Sequence, residues 1–182
     1  YMGDYLKIFS LENPIELVKI LENKKRPAIV GIGNVIKSDD GFGSYLAQKL
    51  LEFERKEYVL IIDGMTFPEN YAGKLIKFNP DIVVFIDTVS MKNKHAGELV
   101  LINQGEVISS GISTHNYSFS FFIDYLKSEC DVKDIFIIGV SPMSLSFGEK
   151  MSSNLNITLS NLSEFFIDYF GLGNEDQKKN NT

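Results

Sequence analysis

The stretch Ile29-Val30-Gly31-Ile32-Gly33-Asn34-Val35-Ile36-Lys37-Ser38-Asp39-Asp40-Gly41-Phe42-Gly43 constrains the chain more than any other. An apolar strand pattern enters a glycine turn, the turn closes on two adjacent aspartates, and a helix pattern begins behind them. Glycine lets the backbone take tight or left-handed paths that other residues resist. Adjacent carboxylates are poor core material, because a buried charge is costly unless it is paired or bound to a cation. Strand, turn, acid pair and helix mouth together read as one wall of a site.

The remaining chain repeats the alternation that this stretch begins. Continuous apolar runs at 28–32, 58–62 and 82–86 suit strands buried on both faces of a parallel sheet. Helical periodicity follows the first run at 41–53, with Tyr45, Leu46, Leu50 and Phe53 on one stripe, and a short helix is predicted at 68–78. A fourth strand at 97–102 follows too short a connection for a helical crossover, so it is expected antiparallel to the third at a sheet edge. A helix at 114–127 carries Phe119, Phe122, Ile123 and Leu126, capped by Ser113 or Thr114, and a fifth strand is predicted at 134–140. Ser152 or Ser153 opens a last helix bearing Leu155, Leu159, Leu162 and Phe166. The expected fold is therefore an α/β three-layer sandwich, a mostly parallel, five-stranded twisted sheet with helices on both faces.

Residues 2–172 are expected to form a single domain. Within it, 2–27 make an N-terminal extension whose Asn13-Pro14 opens an amphipathic helix, and the polar residues 173–182 are expected to be a disordered tail. Tyr1 precedes Met2 and is left out of the reading.

Composition removes several classes of function. With 182 residues, 44% of them hydrophobic, the chain can bury a sizeable core, filled by its 14 phenylalanines in the absence of tryptophan. A net charge of -6 argues against a nucleic-acid surface, which needs clustered Lys and Arg. The lone Cys130 excludes an intrachain disulfide and fits a reducing cytoplasm. It falls at the end of a predicted helix and reads as a structural thiol. The apolar runs are too short to span a bilayer, so a soluble, cytoplasmic protein is expected.

The polar residues fall in a pattern. Asp39 and Asp40 follow the first strand, Asp63 ends the second and Asp87 ends the third. In open α/β sheets ligands bind beyond the carboxyl ends of the strands, so these side chains should converge on one rim. His115, at the start of the predicted 114–127 helix, can reach that rim if the helix begins there. Two or three carboxylates and an imidazole make a mixed oxygen and nitrogen ligand set for Ni, Zn or Mn. Taken singly, Asp40 reads as a helix-mouth acid, Asp63-Gly64 as a turn and His115 as structural. Asn34 either caps its own turn or donates its amide to a substrate carbonyl, and His95 sits in a Lys-rich, solvated loop. Convergence on one rim is what argues for a site.

Other readings of the turn fit less well. The third glycine of a dinucleotide fingerprint should fall at Ile36, and the two acids would face a pyrophosphate. Neither a Walker loop nor a G-x-S-x-G elbow is present.

Several motifs in fixed order resemble the endopeptidases that mature the large subunit of nickel–iron hydrogenases. They are Gly31-x-Gly33-Asn34 with Asp39-Asp40-Gly41-x-Gly43, Asp63-Gly64-x-Thr66-x-Pro68-Glu69-Asn70, and Asp87-Thr88-Val89. Ala96-Gly97-Glu98-Leu99, Ser113-Thr114-His115-Asn116, and Gly139-Val140-x-Pro142 leading to Phe147-Gly148 complete the set. The Pro-Glu-Asn and Thr-His-Asn elements look most like the branch serving the formate-linked hydrogenase.

The resemblance implies a cytoplasmic peptidase that removes a C-terminal extension from the nickel-loaded large-subunit precursor. Nickel would be carried by the precursor and not permanently bound. It further implies metal contacts at Asp40, Asp87 and His115, catalytic aspartates at Asp40, Asp63 and Asp87, and substrate-binding positions at Gly33, Asn34 and Thr66. The family often carries glycine where this chain has Met65. A non-catalytic nickel-binding maturation chaperone of the same fold is the principal alternative. A peptidyl-transfer-RNA-hydrolase-like esterase is a third, disfavoured by the acidic balance. No nucleic-acid or membrane partner is expected.

Overall fold

Strands that are apolar on both faces need helices on both sides of the sheet, and alternate residues along each strand then serve two separate cores. The computed structural model describes residues 6–53, 56–91, 94–103 and 116–173 and has this arrangement. In chain order the elements are β1 (Leu6–Phe9), α1 (Ile15–Leu21), β2 (Pro27–Ile32), a tight helical turn (Ser38–Gly41) and α2 (Phe42–Leu51). They continue with β3 (Leu60–Met65), a second tight turn (Pro68–Tyr71), α3 (Ala72–Phe78), β4 (Ile82–Thr88) and β5 (Leu99–Asn103). The last three are α4 (Asn116–Glu129), β6 (Asp134–Val140) and α5 (Ser153–Phe170).

The sheet order is β1-β5-β6-β4-β2-β3. Strands β3, β2, β4 and β6 are parallel neighbours, with Ile29 opposite Ile61 on one side and Val84 on the other. The five expected strands are all present, and β1 adds a sixth by pairing antiparallel with β5, Phe9 opposite Leu99. The N-terminal extension read as helical therefore contains a strand as well as α1. Strand β5 is antiparallel as expected, but its partner is β6 and not the third strand, because the crossover through α4 inserts β6 between them. Nor is β5 an edge, since β1 covers its outer side.

The two cores alternate along β4. Ile82, Val84 and Ile86 face a cluster with Leu17 and Leu21 of α1, Phe42, Leu46 and Leu50 of α2, and Leu155, Leu162 and Phe166 of α5. Val83 and Phe85 face the opposite cluster, with Leu75 of α3 and Phe119, Phe122, Ile123 and Leu126 of α4. Phe85 meets Phe119 edge-on at 4.9 Å between ring centroids, a favoured aromatic geometry.

Along α2 the buried stripe is Phe42, Leu46 and Leu50, while Tyr45 is 38% exposed and its hydroxyl donates to the Val35 carbonyl. The reason is the close seating of α2 on the sheet: a Cβ at Gly43 would lie 2.0 Å from the Ile86 carbonyl oxygen. That contact turns residue 45 outward. The expected tail and the Ser113/Thr114 cap lie outside the described residues, apart from Gly173. Among the described residues no helix is long and apolar enough to cross a membrane.

Candidate active site on the carboxyl rim

The turn after β2 is shaped by backbone contacts before any side chain acts. Gly33 adopts φ +155°, its N–H donates to the Met65 carbonyl at 2.9 Å, and the Asn34 N–H donates to the Asp40 carbonyl at 3.1 Å. A Cβ at Gly33 would stand 2.1 Å from that same Asp40 oxygen, so only glycine lets the turn fold back on itself. The Asn34 side-chain oxygen accepts from the Ile36 N–H at 3.1 Å, which is the turn-capping alternative for this residue. Met65 stands in the left-handed region at φ +51°, where the resembling family often has glycine. Thr66, next to it, is half-buried in the same rim.

The acid pair divides into two roles. Asp39 is fully buried and accepts from three backbone N–H groups: Met143 at 2.8 Å, Ser144 at 3.0 Å and Ser152 at 2.7 Å. Its own N–H donates to the Ser144 carbonyl. Asp39 thus ties the turn to the loop after β6 and to the start of α5. Asp40, half-buried, points elsewhere: the Thr88 hydroxyl donates to its Oδ1 at 3.4 Å, bringing it beside the end of β4.

Asp87 precedes Thr88 and accepts from the Thr88 N–H at 2.7 Å. Burial pushes its carboxyl up to about 7 from the ordinary 3.8; the Thr88 N–H opposes the rise and the charge on Asp40 adds to it. Two carboxylates from adjacent strands β2 and β4 therefore share one rim, and one of them holds its proton to near neutrality.

Asp63, one strand further out on β3, has its oxygens taken up locally. Ser44 donates to Oδ1 at 2.7 Å, Gln48 to Oδ2 at 2.8 Å, and the Met65 N–H to Oδ1 at 3.1 Å. It locks β3 to α2. Sequence reasoning did not single out Ser44, Gln48 or the Thr88 hydroxyl. The four-residue spacing of Ser44 and Gln48 on α2 puts both on the face turned to Asp63.

His115 lies outside the described residues. Its neighbour Asn116 begins α4, whose 14 residues rise about 21 Å and return to β6 through a short link. His95 is exposed, as expected. Cys130 is half-buried just past α4, with its thiol pushed up by burial and then by Asp131 and Glu129. Among the described residues no three metal-ligating side chains gather closely enough to hold an ion by themselves.

A doubly covered α/β sheet with paired carboxylates where adjacent parallel strands end defines a class of protein whose ligand site lies at the carboxyl rim. The chain belongs to the hydrogenase maturation protease (HycI) family, whose model matches residues 44–167, a span that includes Asp63 and Asp87 and starts just past Asp40. It is 33% identical over 138 residues to a protein of Methanocaldococcus jannaschii assigned as a hydrogenase maturation protease, covering 72% of this chain and 80% of the relative. To the hydrogenase 3 maturation protease of Escherichia coli K12 it is 28% identical over 117 residues, covering 64% and 72%. The crystal structure of HycI, a nickel–iron hydrogenase maturation protease from Thermococcus kodakarensis, superimposes with a TM-score of 0.77 at 31% identity, covering 84% of this chain and 97% of that one.

Proposed function

We propose that this protein is a cytoplasmic endopeptidase that removes the C-terminal extension of a nickel-loaded nickel–iron hydrogenase large-subunit precursor, contacting the precursor's nickel through Asp40, Asp87 and His115. The observation that carries this reading is the meeting of Asp40 and Asp87 through Thr88, with Asp87 holding its proton to about 7. Carboxylates placed together repel each other unless a cation comes between them. The precursor supplies that cation as part of the substrate, and the rim supplies the oxygens that complete its coordination. Recognition of the metal makes the cut conditional on loading.

A nickel ion docked here either polarises the scissile carbonyl or lowers the pKa of a bound water. A general base is the other route to an activated water. The bonds already on Asp63 favour Asp40 for that role and leave Asp63 as the residue that holds β3 against α2. Gly33, Asn34 and Thr66 line the same rim and serve the substrate backbone.

The test is the mass of nickel-loaded precursor before and after incubation with the protein. The parent should yield a shortened product. Asp40→Asn, Asp87→Asn and His115→Ala should retain their circular dichroism and lose processing by at least about 100-fold. Full cleavage by Asp87→Asn overturns the role given to that residue. A stable complex with uncut precursor would instead favour the nickel-binding chaperone.

A further inference from the structure

Six of the fifteen exposed large hydrophobics among the described residues lie at the end of β3 or in the three loops around the carboxylates: Ile36, Met65, Phe67, Met143, Leu145 and Phe147, exposed by 44 to 73%. The loops are hydrogen-bonded to one another through the Asp40 turn. The Gly33 N–H donates to the Met65 carbonyl, joining the loop after β3 to the Asp40 turn. The Gly148 N–H donates to the Ile36 carbonyl at 2.9 Å, joining that turn to the loop after β6. Asp39 pins Met143 and Ser144 from below, and the Lys37 ammonium sits 4.7 Å from the centre of the Phe147 ring. Apolar side chains held outward on pinned backbone form a preformed surface, so little ordering cost remains when a partner covers them. Large apolar side chains exposed together on loops that are bonded to one another mark an interaction site.

We infer that this rim is the docking surface for the folded body of the nickel-loaded precursor, seating an apolar patch of that protein around its metal and thereby selecting which precursors are accepted. The inference rests on the proposed peptidase function. A substrate that brings its metal to Asp40 and Asp87 must cover the loops on either side of them, because these loops are hydrogen-bonded to the very turn that carries Asp40. An unfolded tail alone would be expected to pair with a free strand edge, and the edge on this side is β3. The rim instead presents side chains from three separate loops, which matches a surface and not a strand.

The experiment measures binding and processing separately for the nickel-loaded large-subunit precursor from the same organism. Phe67→Ser with Phe147→Ser removes two exposed rings, and the melting temperature of the double variant should match the parent's. The double variant should raise both the Kd by biolayer interferometry and the KM for processing about tenfold or more, with kcat within about twofold of the parent. Phe147→Leu alone should retain near-parent affinity. Kd and KM within about twofold of the parent in the double variant overturn the inference. So does a parent dimer in sedimentation that the double variant dissolves while precursor affinity stays unchanged, which assigns the rim to a second copy. If the parent binds precursor without cutting it and the double variant loses that binding, the docking surface stands and the peptidase reading falls.

Discussion

Asp87 combines a backbone hydrogen bond that favours its charged form with burial that disfavours it, and burial wins. Its proton is held to about pH 7 in the folded chain, against 3.8 for an ordinary carboxyl. Between those values the folded state binds more protons than the unfolded one, so the free energy of unfolding falls as pH rises from about 4 to about 7 and stays low above it. Asp87→Asn should remove that slope. In urea denaturation the variant should match the parent near pH 4 and exceed it at pH 8 by roughly 2 kcal/mol, about half the unscreened value because the residue is partly exposed. Equal parent and variant stabilities at pH 8 would show that burial does not govern this group. Asp87 was legible as a rim residue because it directly ends an apolar run, and Asp40 because it closes the glycine turn that follows one. The partners of Asp63 were not: Ser44 and Gln48 lie on a helix whose orientation toward β3 only the packed sheet reveals.

Between elements, the decisive contact is Asp39. It lies at the meeting of three segments: the turn before α2, the loop after β6 and the start of α5. Removing its carboxyl leaves three backbone N–H groups without their acceptor in a closed space, each costing about 1–3 kcal/mol. Asp39→Ala should therefore lose about 3–5 kcal/mol and lower the melting temperature by roughly 10 °C, with Asp39→Asn losing less because one oxygen remains. A melting temperature within about 2 °C of the parent for Asp39→Ala would show that the three bonds are replaced by water. The helices were readable from their apolar stripes, and α4 buries all four side chains expected of it. Strand neighbours were less readable. Nothing local to 99–103 or 134–140 states that the later strand slots in beside β4, because that placement depends on the handedness of a crossover through α4.

At the scale of the whole molecule, the sheet ends in a six-residue strand on one side and a four-residue strand on the other. β3 ends it on one side, while on the other the four-residue β1 caps β5 and buries Phe9 in the core shared by α1, α2 and α5. So short a strand carries almost no period-two signal, which is why the extension read as helical alone. Its position predicts its work. Without β1, the outer backbone of Leu99 to Ile102 would lose its strand partner beside apolar side chains, a template for pairing with another chain. Deleting residues 1–10 should lower stability by about 2–4 kcal/mol through lost strand bonds and the exposed core around Phe9. It should also produce association that grows with protein concentration in sedimentation velocity. The carboxylate rim lies at β4 and β2, two strands away from β5, so processing of precursor by the monomeric fraction should persist. If the shortened chain stays monomeric and melts with the parent, β1 is a passive addition. If it stays monomeric and stable but loses processing, the extension belongs to substrate recognition and not to the protection of the sheet.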